Sequence, residues 1–195
     1  MIAVENKPRG WTAIKTFLLL QIYLGLRRNA CLFTYIQVAF SIDCVLRVFS
    51  GLGHEHEVRA PIHSGTADTG SHPAVEVHVN ARELRVIGKD EPEKDRAEVQ
   101  KTMLGPEVLD SERHQEIVFK STAAEPAGPG RWTLHGNLTL RGQTRPVTVQ
   151  VTLKDGRYTG AATVKQTDFG IKPPGKAGVK AKDEVRIEFD VRLAS

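Results

Sequence analysis

Cysteine, aromatic side chains and long apolar runs are all scarce in this chain of 195 residues. Cys31 and Cys44 are the only cysteines, and their spacing fits neither a zinc knuckle nor a redox pair, so no disulfide framework or metal module follows from them. Aromatic residues make up 6% of the chain. They are spent on the core rather than interleaved with Lys and Arg, which argues against a nucleic-acid partner despite the net charge of +4. That charge is compatible with a transient contact to an anionic membrane surface, and equally with a solvated exterior. The longest apolar run, residues 17–26, is well short of the ~20 residues a spanning helix needs. No Ser or Cys stands at a nucleophile elbow, and no glycine-rich loop leads into a helix as a phosphate cradle would. No enzyme is expected.

The chain divides by pattern. Lys7, Arg9 and Lys15 precede the apolar run, which outlines an export signal, yet Arg27 and Arg28 follow where a small-residue cleavage site belongs. Residues 1–37 are therefore read as an N-terminal extension, either a degenerate signal or a misassigned start, and residues 38–195 as one domain.

From Val38 onward, short runs alternate between apolar and polar residues. Val185, Ile187, Phe189, Val191 and Leu193 are separated by Arg186, Glu188, Asp190 and Arg192, so one face of a strand meets a core and the other meets water. Val147, Val149, Val151 and Leu153 repeat the pattern, as do Trp132, Leu134, Leu138 and Leu140. Shorter versions centre on Val75, Val77 and Val79, and on Ile117 and Phe119. Turn signals fall at residues 125–130, at Arg141-Gly142-Gln143 and at Lys154-Asp155-Gly156-Arg157. Residues 92–104 break the alternation with a composition suited to a short helix. The expected fold is all-β, a closed antiparallel barrel with one short helix crossing it, because closure removes the exposed edges of an open sheet. A sandwich is the alternative.

Specific residues add a resemblance. Leu138-Thr139-Leu140-Arg141-Gly142-Gln143-Thr144-Arg145-Pro146-Val147 is similar to an "LTL-x-G-x-T-x-PV" turn of the YceI-like, polyisoprenoid-binding family. Residues 165–173, KQTDFGIKP, and the closing strand from Asp183-Glu184-Val185 resemble that family in the same order. The likeness spans about residues 50–193. It implies an eight-stranded antiparallel, lipocalin-like barrel that carries an isoprenoid or fatty chain in its interior, and a periplasmic or secreted setting. It leaves the oligomeric state open, a homodimer included.

The inward candidates for such a lining are Trp132, Leu134, Leu138 and Leu140, then Val147 and Val149, then Phe169, then Val185, Ile187 and Phe189. Alternation alone does not distinguish a barrel filled by side chains from one holding a slender ligand. Lys172, Lys176, Lys180 and Lys182 are the candidates for an anionic head group or membrane surface, against the plainer reading of a solvated loop. His54 and His56, two apart in an extended segment, share a face and are the candidates for a divalent metal, with His63, His78 or His114 as a third ligand. Their alternative role is hydrogen bonding within a glycine-flanked loop.

Overall fold

The computed structural model of the protein describes residues 36–37, 43–50, 55–70, 72–88, 93–176 and 179–192. The apolar run and its flanking cations, with the export signal read from them, lie outside the described residues, as does His54.

The alternating runs form strands. In chain order these are β1 (Ile36–Gln37), β2 (Asp43–Ser50), β3 (Glu55–Asp68), β4 (Ala74–Asn80), β5 (Arg85–Val86), β6 (Glu116–Gly128), β7 (Arg131–Leu140), β8 (Gln143–Lys154), β9 (Arg157–Lys165), β10 (Gly175–Lys176) and β11 (Val179–Val191). Eight of them form an antiparallel ring in the order β3-β2-β11-β9-β8-β7-β6-β4, and β4 pairs back onto β3. The fourteen-residue β3 makes the seam. Its first half pairs with β2, from Phe49↔Glu55 to Asp43↔Pro61, and its second half with β4, from Ile62↔Val79 to Asp68↔Ala74. This offset between neighbours is the stagger that closing a sheet requires. The expected barrel is present, and the alternative of two stacked sheets is not.

Two of the expected turns are two-residue hairpins. Arg141 and Gly142 have φ of 51° and 69°, and Asp155 and Gly156 have 52° and 72°, the left-handed pair that matches the twist of the flanking strands. The segment 125–130 departs from expectation. β6 continues to Gly128, with Glu125 opposite Thr133 and Pro126 opposite Trp132, and only Pro129 and Gly130 turn. Pro126 is tolerated because β4 pairs with β6 only as far as Lys120, so this outer stretch is an edge where a missing N–H costs little.

The helix α1 (Glu93–Leu104) has the extent the composition suggested. None of its side chains is fully buried, and it is held by Gln100, whose amide accepts from Val86 N at 2.8 Å and donates to Leu84 O at 2.9 Å. Its last residues, Met103 and Leu104, pack on a cluster of Val58, Leu84, Val108, Leu109, Leu138, Val164, Phe169 and Ile171. These residues come largely from two connections, β4 to β6 and β9 to β11, which therefore fill one end of the barrel.

Arg141 pins that end. Its guanidinium donates to Gly170 O at 2.6 Å and to Pro106 O at 2.8 Å, joining the β7–β8 turn to both connections. Arg141→Gly keeps the left-handed turn and removes only the side chain. It is expected to lower unfolding free energy by about 1–2 kcal/mol, the value of two charge-assisted bonds discounted for their exposure, as measured by urea denaturation. An unchanged midpoint would mean that water replaces the guanidinium at no cost.

A carboxylate secures the same end from the other side. Asp183 accepts from Thr167 N at 2.9 Å and Thr167 Oγ1 at 2.7 Å, fixing the 3₁₀ turn Gln166–Phe169 that delivers Phe169 to the cluster. The Thr167 side chain, then its backbone N–H, hold the Asp183 carboxyl below its ordinary value of 3.8. A depressed carboxyl stabilises the fold above its unfolded pKa, and that contribution is lost as pH falls through the folded one. Asp183→Asn should therefore cost about 1 kcal/mol at neutral pH, after allowance for solvent screening, and flatten the loss of stability below about pH 4. Parallel acid denaturation curves for the two proteins would exclude this.

Candidate ligand cavity

The other end of the barrel is hollow. A cavity of about 650 Å³ lies between β3, β4, β6, β7, β8, β9 and β11, within the volume range of small-molecule sites. Its wall follows from strand alternation: β4 contributes Val75, Val77 and Val79, β8 contributes Val147, Val149, Val151 and Leu153, and β11 contributes Ile187, Phe189 and Val191. The intervening Glu76, His78, Thr148, Gln150, Thr152, Arg186, Glu188 and Asp190 therefore face away from it.

Two β-bulges adjust this pattern. In β3, Ile62 lies opposite Val79 and Ala67 opposite Val75, both pairs on the cavity wall, although 62 and 67 differ in parity. The register shift between Ile62 and Ser64 absorbs the extra residue and keeps both sets facing in. The shift between Ser121 and Ala123 does the same in β6, taking Phe119 opposite Leu138 and Ala124 opposite Leu134.

Two aromatic rings line the wall by lying on glycines. A Cβ on Gly160 would fall 2.3 Å from Phe189 Cζ, and one on Gly136 would fall 2.6 Å from Phe119 Cζ, so neither position has room for a side chain while the ring stays in place. The cavity reaches solvent beside the exposed Thr69 and Gly70, where Trp132 and Tyr158 are half-buried with ring centroids 6.5 Å apart. Asp68 is the one charged side chain of the lining among the described residues, and its Oδ1 accepts from Gly70 N at 2.8 Å. Inward, Ala60 and Leu138 belong both to the cavity wall and to the packed cluster, so the space ends at their level.

The structure separates the residues expected to line the interior. Trp132, Leu134, Leu138, Val147, Val149, Ile187 and Phe189 are on the cavity wall. Leu140, Phe169 and Val185 are in the packed end instead, Phe169 1% exposed and the other two against its cluster. Alternation reports which face of a strand is inward, not which level of the barrel a residue occupies, and all three lie near the filled end. Conversely, Val75, Val77, Val79, Ile117 and Phe119 belong to the wall and carried the same alternating signal in shorter runs. Ala60, Ile62 and Ala67 of β3 carried a weaker one, scrambled by the bulge.

Two of the lysines considered for a head group, Lys172 and Lys182, lie at the packed end. Lys172 follows the 3₁₀ turn at the packed end, and Lys182 lies next to the Thr167–Asp183 contact there, both exposed. The side chains of Lys176 and Lys180 lie outside the described ones. Arg145, at the entry of β8, donates to Thr144 O and Gln143 Oε1 within its own turn.

The histidines are dispersed. His56 is half-buried on β3 opposite Val48, His63 is exposed on the same strand, and His114 lies against Gly142. His78 Nε2 is 3.1 Å from Glu76 Oε1, and Glu76 also meets Lys120 Nζ at 2.9 Å. The Lys120 bond, then that of His78, hold the Glu76 carboxyl below its ordinary value. Among the described residues no three His, Cys, Asp or Glu side chains come together as a metal would require.

The fold has counterparts among solved structures. The fold matches the crystal structure of Burkholderia cenocepacia BcnA with a TM-score of 0.62 at 21% identity, over 78% of this chain and 96% of that one. It matches a polyisoprenoid binding domain from Saccharophagus degradans with a TM-score of 0.51 at 9% identity, over 81% of this chain and all of that one. In sequence it is 30% identical over 115 residues to a UPF0312 protein of Shewanella oneidensis, covering 54% of this chain and 57% of that protein. It is 33% identical over 89 residues to one of Pseudomonas savastanoi, covering 40% and 46%. The chain thus spans about half the length of these relatives. Residues 37–193 match the YceI-like domain, so the strands that build the cavity and the connections that close it place this chain in the YceI-like domain family.

Proposed function

We propose that the protein is a carrier, not a catalyst, and that it holds one slender apolar chain of isoprenoid or fatty type in the hollow half of its barrel. The cavity of about 650 Å³ with its almost wholly apolar wall carries this reading. Liquid water occupies about 30 Å³ per molecule and a methylene has similar bulk, so the space suits on the order of twenty chain atoms. At about 0.8 kcal/mol per buried methylene, such a chain is held firmly without polar contacts.

The likeness to the polyisoprenoid binding domain of Saccharophagus degradans supports the isoprenoid class. The lining supports an uncharged head group, because its polar groups are Asp68, Thr69, Tyr158 and Trp132 and no described cation is among them. A phosphate at the mouth would sit near the Asp68 carboxylate, where like charges repel.

Native mass spectrometry of the purified full chain, followed by organic extraction, tests the proposal. A stoichiometric prenyl or acyl species is the expected result. A protein that emerges empty and takes up no added prenol or fatty alcohol would refute it.

A further inference from the structure

We infer that Phe189 resting on Gly160 and Phe119 resting on Gly136 set the bore of the cavity and Leu138 its depth, so that ligands enter tail first and are selected by chain length. The inference rests on the carrier reading and adds a limit to it.

A ring whose edge lies over a glycine occupies the space that the missing side chain would have filled. At Gly160 the backbone oxygen of Gln150 is also only 2.5 Å from a built Cβ, so the ring is confined between the strand and the lumen. Gly160 pairs with Phe189 on one side and Val151 on the other, and both partners line the cavity, which puts this stack on the inner face. Gly136 pairs with Val147, also on the wall. A methyl added at either glycine would meet both its ring and a backbone oxygen, Gln150 O at 2.5 Å or Lys120 O at 2.6 Å, and the ring, which can turn toward the lumen, yields more readily than the strand.

Depth is limited by packing. Beyond Leu138 lie Leu84 and Phe169, each 1% exposed, and Ile171 at 3%, packed together in one cluster of buried side chains. The cavity reaches solvent beside the exposed Thr69 and Gly70, so a hydroxyl stays there with water, since burying it unpaired in the apolar interior is costly, while the tail goes in.

The experiment uses the full chain and saturated primary alcohols of about 10 to about 30 carbons, competing with an environment-sensitive fluorescent probe. Affinity should climb roughly fourfold per added methylene, as complete burial of each requires, and stop climbing near twenty carbons. Gly160→Ala should move that break to shorter chains, Leu138→Ala should move it to longer chains by about two or three carbons, and Phe189→Leu should widen the bore and so raise the affinity for methyl-branched isoprenoid alcohols more than for straight alcohols of equal length. Should Gly160→Ala fail to fold, Phe189→Leu reads the same wall in the opposite direction. A bulky fluorophore on the hydroxyl should be tolerated, whereas the same group on the tail should reduce binding at least a hundredfold.

A climb that continues unbroken to the longest alcohol would overturn the depth limit. A break unmoved in every folded variant would overturn the assignment of these residues, and equal binding of head-labelled and tail-labelled chains would overturn the direction of entry. Failure of every alcohol to bind the parent protein is a different result, since it removes the carrier reading itself.

Discussion

Phe169→Ala is expected to lower unfolding free energy by about 3–5 kcal/mol, the range for removing a buried aromatic ring from a core that cannot collapse around the gap. Phe169 is 1% exposed and lies in a cluster supplied by several segments: Leu84, Val108 and Leu109 from the β4–β6 connection, Ile171 from the β9–β11 connection, and Val58, Leu138 and Val164 from the wall. Its backbone is held by the Thr167–Asp183 bonds and by Gly170 N donating to Thr167 O at 3.0 Å, so the ring cannot be replaced by a small shift of the turn. Urea denaturation gives the number directly. A loss below about 1 kcal/mol would mean that this end is loosely packed and that the cavity continues through it.

Trp132→Ala makes a useful contrast. Trp132 is a larger side chain, but it is half-buried on the cavity wall, its ring tilted against that of Tyr158 with the centroids 6.5 Å apart. It has fewer partners to lose, and its removal should cost appreciably less than that of Phe169.

Ala162→Trp should abolish ligand uptake while leaving the fold intact. Ala162 lines the cavity on β9, opposite Ile187 of β11, and its methyl faces the empty space. An indole there would fill roughly ten heavy-atom positions, about half of those available to a chain. The corresponding loss of buried methylenes, at about 0.8 kcal/mol each, amounts to more than a thousandfold in affinity. Stability should change by no more than about 1–2 kcal/mol in either direction, because the dispersion attraction of a ring filling a void offsets any crowding. Probe binding and urea midpoint, measured on one preparation, separate the two effects. Unimpaired binding by a folded variant would place the ligand elsewhere and remove the cavity from the account.

Taken together, these substitutions divide the barrel interior by function. The packed end should respond in stability and the hollow end in binding, with Leu138 at their junction responding in both. Neither outcome depends on the identity of the ligand.

Strand positions are legible in the residues alone, because the pleat has a period of two and one buried face imposes the same period on the chain. Val185, Ile187, Phe189 and Val191 show this period plainly, and the glycines at 142 and 156 signal turns, although the left-handed φ of Arg141 is not a preference of its residue type. The strand β3 is less legible, since its bulge at residues 62–64 reverses the phase of everything beyond it. Pro126 misleads in a different way, because a proline inside an apparent turn proves compatible with an edge strand.

The amino-acid sequence by itself determined an amphipathic eight-stranded barrel, its hairpins and its family, since each depends on local periodicity, turn chemistry or motif. Only the tertiary structure decided that the barrel is solid at one end and hollow at the other. Phe169 and Phe189 look alike in sequence, each a phenylalanine expected inside. One is enclosed because two connections fold over that mouth of the barrel, and the other faces a void because nothing among the described residues fills the space before it. Whether an inward side chain meets a neighbour or a cavity depends on how distant segments share a volume, and that information is not carried by any residue's own neighbours along the chain.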